Sequence, residues 1–155
     1  MLASSAAPAT TDKCEDIAVH QFAIAEGDFT TAGMISTEIK EILNSIGYDP
    51  KLVRRVAIST YEGEMNVVMH AQKGVVALEA SDAEILVSID DEGKGIPDVE
   101  KAMQEGFSTA TDEQRALGFG SGMGLPNMKR NADILTVASE VGKGTRVKMK
   151  FVVKK

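Results

Sequence analysis

Apolar positions recur along this chain in two rhythms, one of three and four residues and one of two, and each rhythm predicts its own kind of element. A strand is predicted from Val19 to Ala25. Ala32, Ile35, Ile39, Ile42, Leu43 and Ile46 then form a single helical stripe that Gly47 brings to a stop. Asp49 followed by Pro50 opens a second helix, with Asp as the capping residue and Pro in the first turn, and that helix is expected to run to Ala71. Two strands follow, Gly74 to Ala80 and Glu84 to Asp90, the latter with Ile85, Val87 and Ile89 alternating. A short helix from Asp98 to Gln104 leads into the polar stretch FSTATDEQRAL, and the glycine cluster GFGSGMG opens another helix over about Leu125 to Ala132. Strands from Ile134 to Glu140 and Thr145 to Val153 close the chain. In the last, Thr145, Val147, Met149 and Phe151 face one way and Arg146, Lys148 and Lys150 the other. One dry and one wet face is the mark of an α+β fold, a largely antiparallel sheet with helices on one side.

Composition narrows the class. The chain has 155 residues, 43% of them hydrophobic and 26% charged, which suits one globular domain. Its net charge of −6 carries no concentrated basic run, so neither nucleic acid nor an anionic membrane is an expected partner. No apolar run approaches the ~20 residues of a membrane span, and the expected location is the cytoplasm. Cys14 is the sole cysteine, which excludes an intrachain disulfide and a cysteine metal cluster. The small, polar start MLASSAAPATTDKCE lacks the pattern of a secretory signal, and residues 1–17 are expected to be a disordered tail ahead of a single domain over 18–155.

Chemistry enters with the second helix. From Val56 to Ala71 its only formal charges are Glu62 and Glu64, amid residues apolar enough to predict burial. At 100° per residue Glu62 and Asn66 stand about 40° apart, whereas Glu64 stands about 200° from both. Glu62 and Asn66 therefore share a face from which Glu64 is excluded. A carboxylate and a carboxamide in a dry helix need partners, and those are either a salt bridge and a core hydrogen bond or a ligand.

Three glycine-rich stretches follow. Asp91-Glu92-Gly93-Lys94-Gly95 ends a strand with a carboxylate fit to accept from an exocyclic amine and glycines that admit a ring against the backbone, although alone it also reads as a turn. Gly118-Phe119-Gly120-Ser121-Gly122-Met123-Gly124-Leu125 runs straight into a helix, where free N–H groups and the helix dipole favour phosphate. It fits neither the P-loop nor the dinucleotide fingerprint. Gly142-Lys143-Gly144-Thr145 alone reads as a hairpin turn.

In this order the pieces resemble the GHKL, or Bergerat-fold, ATPases. Glu62-x-x-x-Asn66 is similar to their N box, Asp91-x-Gly93-x-Gly95 to the first glycine box, Gly120-x-Gly122-x-Gly124-Leu125 to the second and Gly142-x-Gly144-Thr145 to the last. The resemblance implies a mixed, mostly antiparallel sheet with helices on one face and ATP held between them. It further implies Mg²⁺ on Asn66, Glu62 as the base for the attacking hydroxyl or water, and Asp91 accepting from the adenine amine with Thr145 assisting. Gly93, Gly95 and Ile96 would line the base, Gly120, Gly122, Gly124 and Leu125 would lie at the phosphates, and residues 106–119 would be a mobile lid. Lys129 and Arg130 read as solvated helix charges or, alternatively, as phosphate contacts.

Within the family, Glu62-x-x-x-Asn66-x-x-x-His70-Ala71, Gly95-Ile96-Pro97-Asp98 and Gly124-Leu125-Pro126 resemble the anti-sigma-factor serine/threonine kinases of bacterial partner-switching systems. That branch implies transfer to a small STAS-type anti-sigma-factor antagonist, with a sigma factor or a phosphatase as further partners, and is compatible with a homodimer. Two other readings share the same pocket: an ATP-gated binding module with little transfer, and the ATP-binding domain of a sensor histidine kinase. Met69 stands where such histidine kinases usually carry a basic residue.

Overall fold

The structure, a computed structural model, describes residues 18–25, 31–105 and 123–154. The expected tail, the lid over 106–119, Gly120 and Gly122 lie outside the described residues. Strand β1 (Ala18–Ala25) is followed by helices α1 (Met34–Ile46) and α2 (Pro50–His70), then by strands β2 (Ala71–Ala80) and β3 (Glu84–Gly93). Helices α3 (Val99–Ala102) and α4 (Gly124–Asn131) precede the closing hairpin of β4 (Ile134–Glu140) and β5 (Gly144–Val152).

The predicted turn chemistry sets the ends of the helices. Gly47 takes a left-handed φ of 105° and its N–H closes α1 on the Leu43 carbonyl. Asp49 opens α2, its Oδ1 accepting from Lys51 N at 2.8 Å and its carbonyl from Val53 N at 3.0 Å. Helix α2 leads into β2 without an intervening loop, three residues earlier than the pattern of apolar residues implies. The pairing of β2 with β3 shifts register between Ala71 and Gly74.

The sheet has the order β1-β2-β3-β5-β4, and every pairing is antiparallel. The mixed sheet of the expectation is thus fully antiparallel among the described residues, because β5 returns between β3 and β4 and separates the two strands that the α3–α4 crossover joins. The helical face holds the core, in which Ile39, Leu43, Val53, Val56, Leu78, Ile85, Ile89, Met128, Met149 and Phe151 are buried. On β5, Val147, Met149 and Phe151 point into it while Arg146 and Lys148 remain exposed, as the alternation predicts. No helix among the described residues is long and apolar enough to cross a membrane.

Candidate functional site

Helix α2 crosses the helical side of the sheet with most of its surface dry, and the three polar residues of its middle take different environments. Glu64 is buried at 2% exposure and turns away from the other two, toward the start of α1. Its Oε2 accepts from the backbone N–H of Gly33 at 3.0 Å and Ile35 at 3.2 Å, and its Oε1 from Ser36 N at 3.1 Å. Gly33 has no side chain to cap α1, so a carboxylate from α2 supplies the cap and meets the positive end of the helix dipole. The sequence excludes Glu64 from the site but gives no sign of this role, because its donors are backbone groups 28 to 31 residues upstream.

Glu62 and Asn66 are half-buried on the face turned to α4. Glu62 accepts at Oε2 from Asn127 Nδ2 at 2.6 Å, and no described residue hydrogen-bonds its Oε1. The salt bridge that would have made Glu62 purely structural is absent among the described residues. Asn66 lies against the first residue of α4: a Cβ on Gly124 would come within 3.3 Å of Asn66 Oδ1, which only glycine avoids without displacement. No hydrogen bond among the described residues engages the Asn66 carboxamide. Met123, the residue before α4, provides no side-chain cap to the first N–H groups of that helix. Leu125 itself is buried and anchors that turn in the core. Arg130 is engaged with Asn127 and Glu105, whereas Lys129 is exposed.

A second cluster lies at the end of β3 and the β4–β5 hairpin. Asp91 Oδ1 accepts from Gly93 N at 2.9 Å and from Thr145 N at 3.1 Å, which leaves Oδ2 without a partner among the described residues. Burial raises the Asp91 pKa above the usual carboxylate value, and the two backbone donors partly oppose that shift. Gly144, at φ 136°, sits so close over the Asp91 carbonyl that a Cβ would overlap it. Gly95, at φ 80°, meets the Glu140 carbonyl in the same way. Ile96 N donates to Ser139 Oγ at 2.7 Å, and Ser139 Oγ in turn lies 2.8 Å from Thr145 Oγ1 and 3.1 Å from the Gly144 carbonyl. Gly142 N closes on the Lys94 carbonyl at 2.8 Å. The first and last glycine boxes are therefore one locked unit. Ser139, its hub, is a residue the motif reading passes over. His70, four residues beyond Asn66, has its pKa lowered by burial and by the charge of Lys94, with Asp91 opposing.

Glu62, Asn66 and Gly124 thus meet where α2 packs on α4, and Asp91, Gly93, Gly95, Ile96 and Thr145 meet at the end of β3 and the β4–β5 hairpin. No group of three or more His, Cys, Asp or Glu side chains among the described residues is arranged to hold a metal ion. Asn66 fits a hard cation as a single oxygen ligand, the usual situation for magnesium that arrives with substrate phosphates.

The family model described as "Histidine kinase-, DNA gyrase B-, and HSP90-like ATPase" matches residues 42–155. The anti-sigma F factor of Caldanaerobacter subterraneus subsp. tengcongensis is 41% identical over 108 residues, which cover 65% of this chain and 72% of that protein. The serine/threonine-protein kinase RsbT of Bacillus subtilis is 29% identical over 112 residues, 70% of this chain and 78% of RsbT. Among solved structures, the RsbU and RsbW domains of a Mycobacterium tuberculosis protein share the fold at a TM-score of 0.62 and 14% identity, over 89% of this chain and 33% of that one. The SiaB–SiaC complex of Pseudomonas aeruginosa does so at 0.53 and 12%, over 86% and 89%.

Proposed function

Because the chain belongs to the histidine kinase-, DNA gyrase B- and HSP90-like ATPase family, we propose that it is an ATP-dependent serine/threonine protein kinase of the anti-sigma type. Its acceptor is a small STAS-type antagonist, and a sigma factor and a phosphatase complete the circuit in the cytoplasm. The observation that carries this reading is the half-buried Asn66 carboxamide, without a hydrogen-bond partner among the described residues, set against the start of α4, to which Met123 gives no side-chain cap. A site of this kind suits the charged end of a nucleotide. Asp91 Oδ2 accepts the adenine amine, Gly93, Gly95 and Ile96 flank the ring, and Thr145 assists. Gly120, Gly122, Gly124 and Leu125 are the residues proposed to meet the phosphates. Asn66 holds magnesium, which when bound offsets the negative charge of the phosphates.

Phosphoryl transfer asks the protein mainly for positioning and charge neutralisation. The acceptor hydroxyl oxygen forms a bond to the γ-phosphorus while the bond from that phosphorus to the bridging oxygen breaks and ADP leaves. The hydroxyl proton passes to Glu62, at the Oε1 that no described residue hydrogen-bonds.

The deciding experiment incubates the chain with a purified STAS-domain antagonist and ATP labelled at the γ-phosphate. Acid-stable phosphoprotein is expected, and Glu62→Gln is expected to slow its formation by about 10²- to 10⁴-fold with MgATP still bound. Asn66→Ala weakens MgATP binding itself. Nucleotide binding without any transfer would make the protein a binding module, and an acid-labile product would make it a histidine kinase domain.

A further inference from the structure

Helices α2 and α4 meet in two rungs. In one, Gly124 packs against Asn66; in the other, Asn127 Nδ2 donates to Glu62 Oε2 at 2.6 Å. Gly124 and Asn127 are three apart on their helix, Asn66 and Glu62 four apart on theirs, so each pair shares one face and the two pairs meet. A carboxamide has one donor end and one acceptor end, and its function depends on which end faces the carboxylate. Arg130, with donors only, settles that choice here: its Nη1 donates to Asn127 Oδ1 at 2.9 Å. The same guanidinium pairs through Nη2 with Glu105. The backbone beneath is fixed as well, Asn127 N donating to the Met123 carbonyl at 2.8 Å and Asn131 Nδ2 to the Asn127 carbonyl at 2.8 Å.

We infer that Asn127 is a positioning residue for Glu62. Its Nδ2 holds Oε2, and Arg130 keeps the amide in the orientation that leaves Oε1, which no described residue hydrogen-bonds, to the acceptor. The inference rests on the reading of Glu62 as the base, since Asn127 acts only through that carboxylate. Loss of the amide frees the Glu62 side chain to leave its productive rotamer and lengthens its reach to the acceptor. Nucleotide contacts are untouched.

The test measures MgATP affinity and single-turnover phosphate release from MgATP in the full chain. Asn127→Ala and the isosteric Asn127→Asp, which keeps the shape of the helix interface, are each made in the wild-type and in the Glu62→Gln background. In the wild-type background both are expected to slow turnover by about ten- to a hundredfold with MgATP affinity unchanged, the scale of a misplaced reacting group. In the Glu62→Gln background neither is expected to cost anything more. Full-rate turnover by either variant while Glu62→Gln is slow overturns the positioning role and leaves the base standing. An equal fractional loss in both backgrounds overturns it too, because Asn127 would then act independently of Glu62. If Glu62→Gln itself turns over at the full rate, the reading of the base falls and the inference with it.

Discussion

Glu62 and Glu64 are two residues apart, and their different surroundings show how helical rotation divides one stretch of sequence between the candidate site and the packing of α1. Glu64 accepts three backbone N–H groups at the start of α1 from a fully buried position. Glu64→Gln keeps the shape but sets an NH₂ group against N–H donors, so it is expected to destabilise the fold by about 1–3 kcal/mol in urea titration. Nucleotide affinity of the folded fraction should stay the same. Asp91 makes the complementary case. Burial raises the pKa of its carboxyl above the usual carboxylate value, and in the proposed site it would serve adenine only as the unprotonated acceptor. As pH falls through that raised value the site takes up a proton, so ATP affinity should fall. Asp91→Asn should lose about 1–3 kcal/mol of ATP affinity at neutral pH, blunt the preference for ATP over GTP, and abolish this part of the pH dependence. Isothermal titration of wild type and variant from pH 7 downward measures the difference. The motif residues are legible because their spacing is local. The donors of Glu64 and the partner of Glu62 are not, because they lie 28 to 31 and 65 residues away in sequence.

Among the elements, patterning and turn chemistry locate every described helix and strand to within about three residues, the usual scatter of element ends. The largest shifts, three residues each, are the early start of β2 and the late end of β3, which pair with each other beyond the slip in register. The coupling between elements is what patterning does not convey. Ser139 reads as one more alternate position in β4, yet its hydroxyl ties Ile96, ahead of α3, to Gly144 and Thr145 on β5. Ser139→Ala leaves the Ile96 N–H without its acceptor and uncouples the two glycine boxes, at about 0.5–1.5 kcal/mol per lost hydrogen bond. The amide of Ile96 should then exchange faster, and ATP affinity should fall although Ser139 is not expected to touch the nucleotide. Amide exchange followed residue by residue checks this, and unchanged protection at Ile96 would show that the lock is held by the Gly142–Lys94 bond alone.

For the whole molecule, the proposed nucleotide site draws on distant parts of the chain, Asn66 and Gly124 together with Asp91 and Thr145. A ligand that binds only the folded state stabilises it by mass action, about 2.7 kcal/mol at a hundred times its Kd. In a domain of this size each kcal/mol moves the melting temperature by roughly 2–4 °C, so saturating MgATP should raise it by roughly 5–10 °C. The size of that shift in each variant separates binding from chemistry without a protein substrate. Asp91→Asn and Asn66→Ala should lose most of it, because each removes a contact made by the bound nucleotide or its metal. Glu62→Gln and Asn127→Ala should keep it, because in the proposed mechanism the carboxylate and the amide that holds it act on the transferring group rather than on the ground state. Asn66→Ala should also lose the dependence of the shift on magnesium, with ADP or ATP in EDTA giving the same small rise as in the presence of the metal. A full magnesium-dependent shift in Asn66→Ala would take the metal away from Asn66, and loss of the shift in Glu62→Gln would place that carboxylate among the binding groups instead of at the proton.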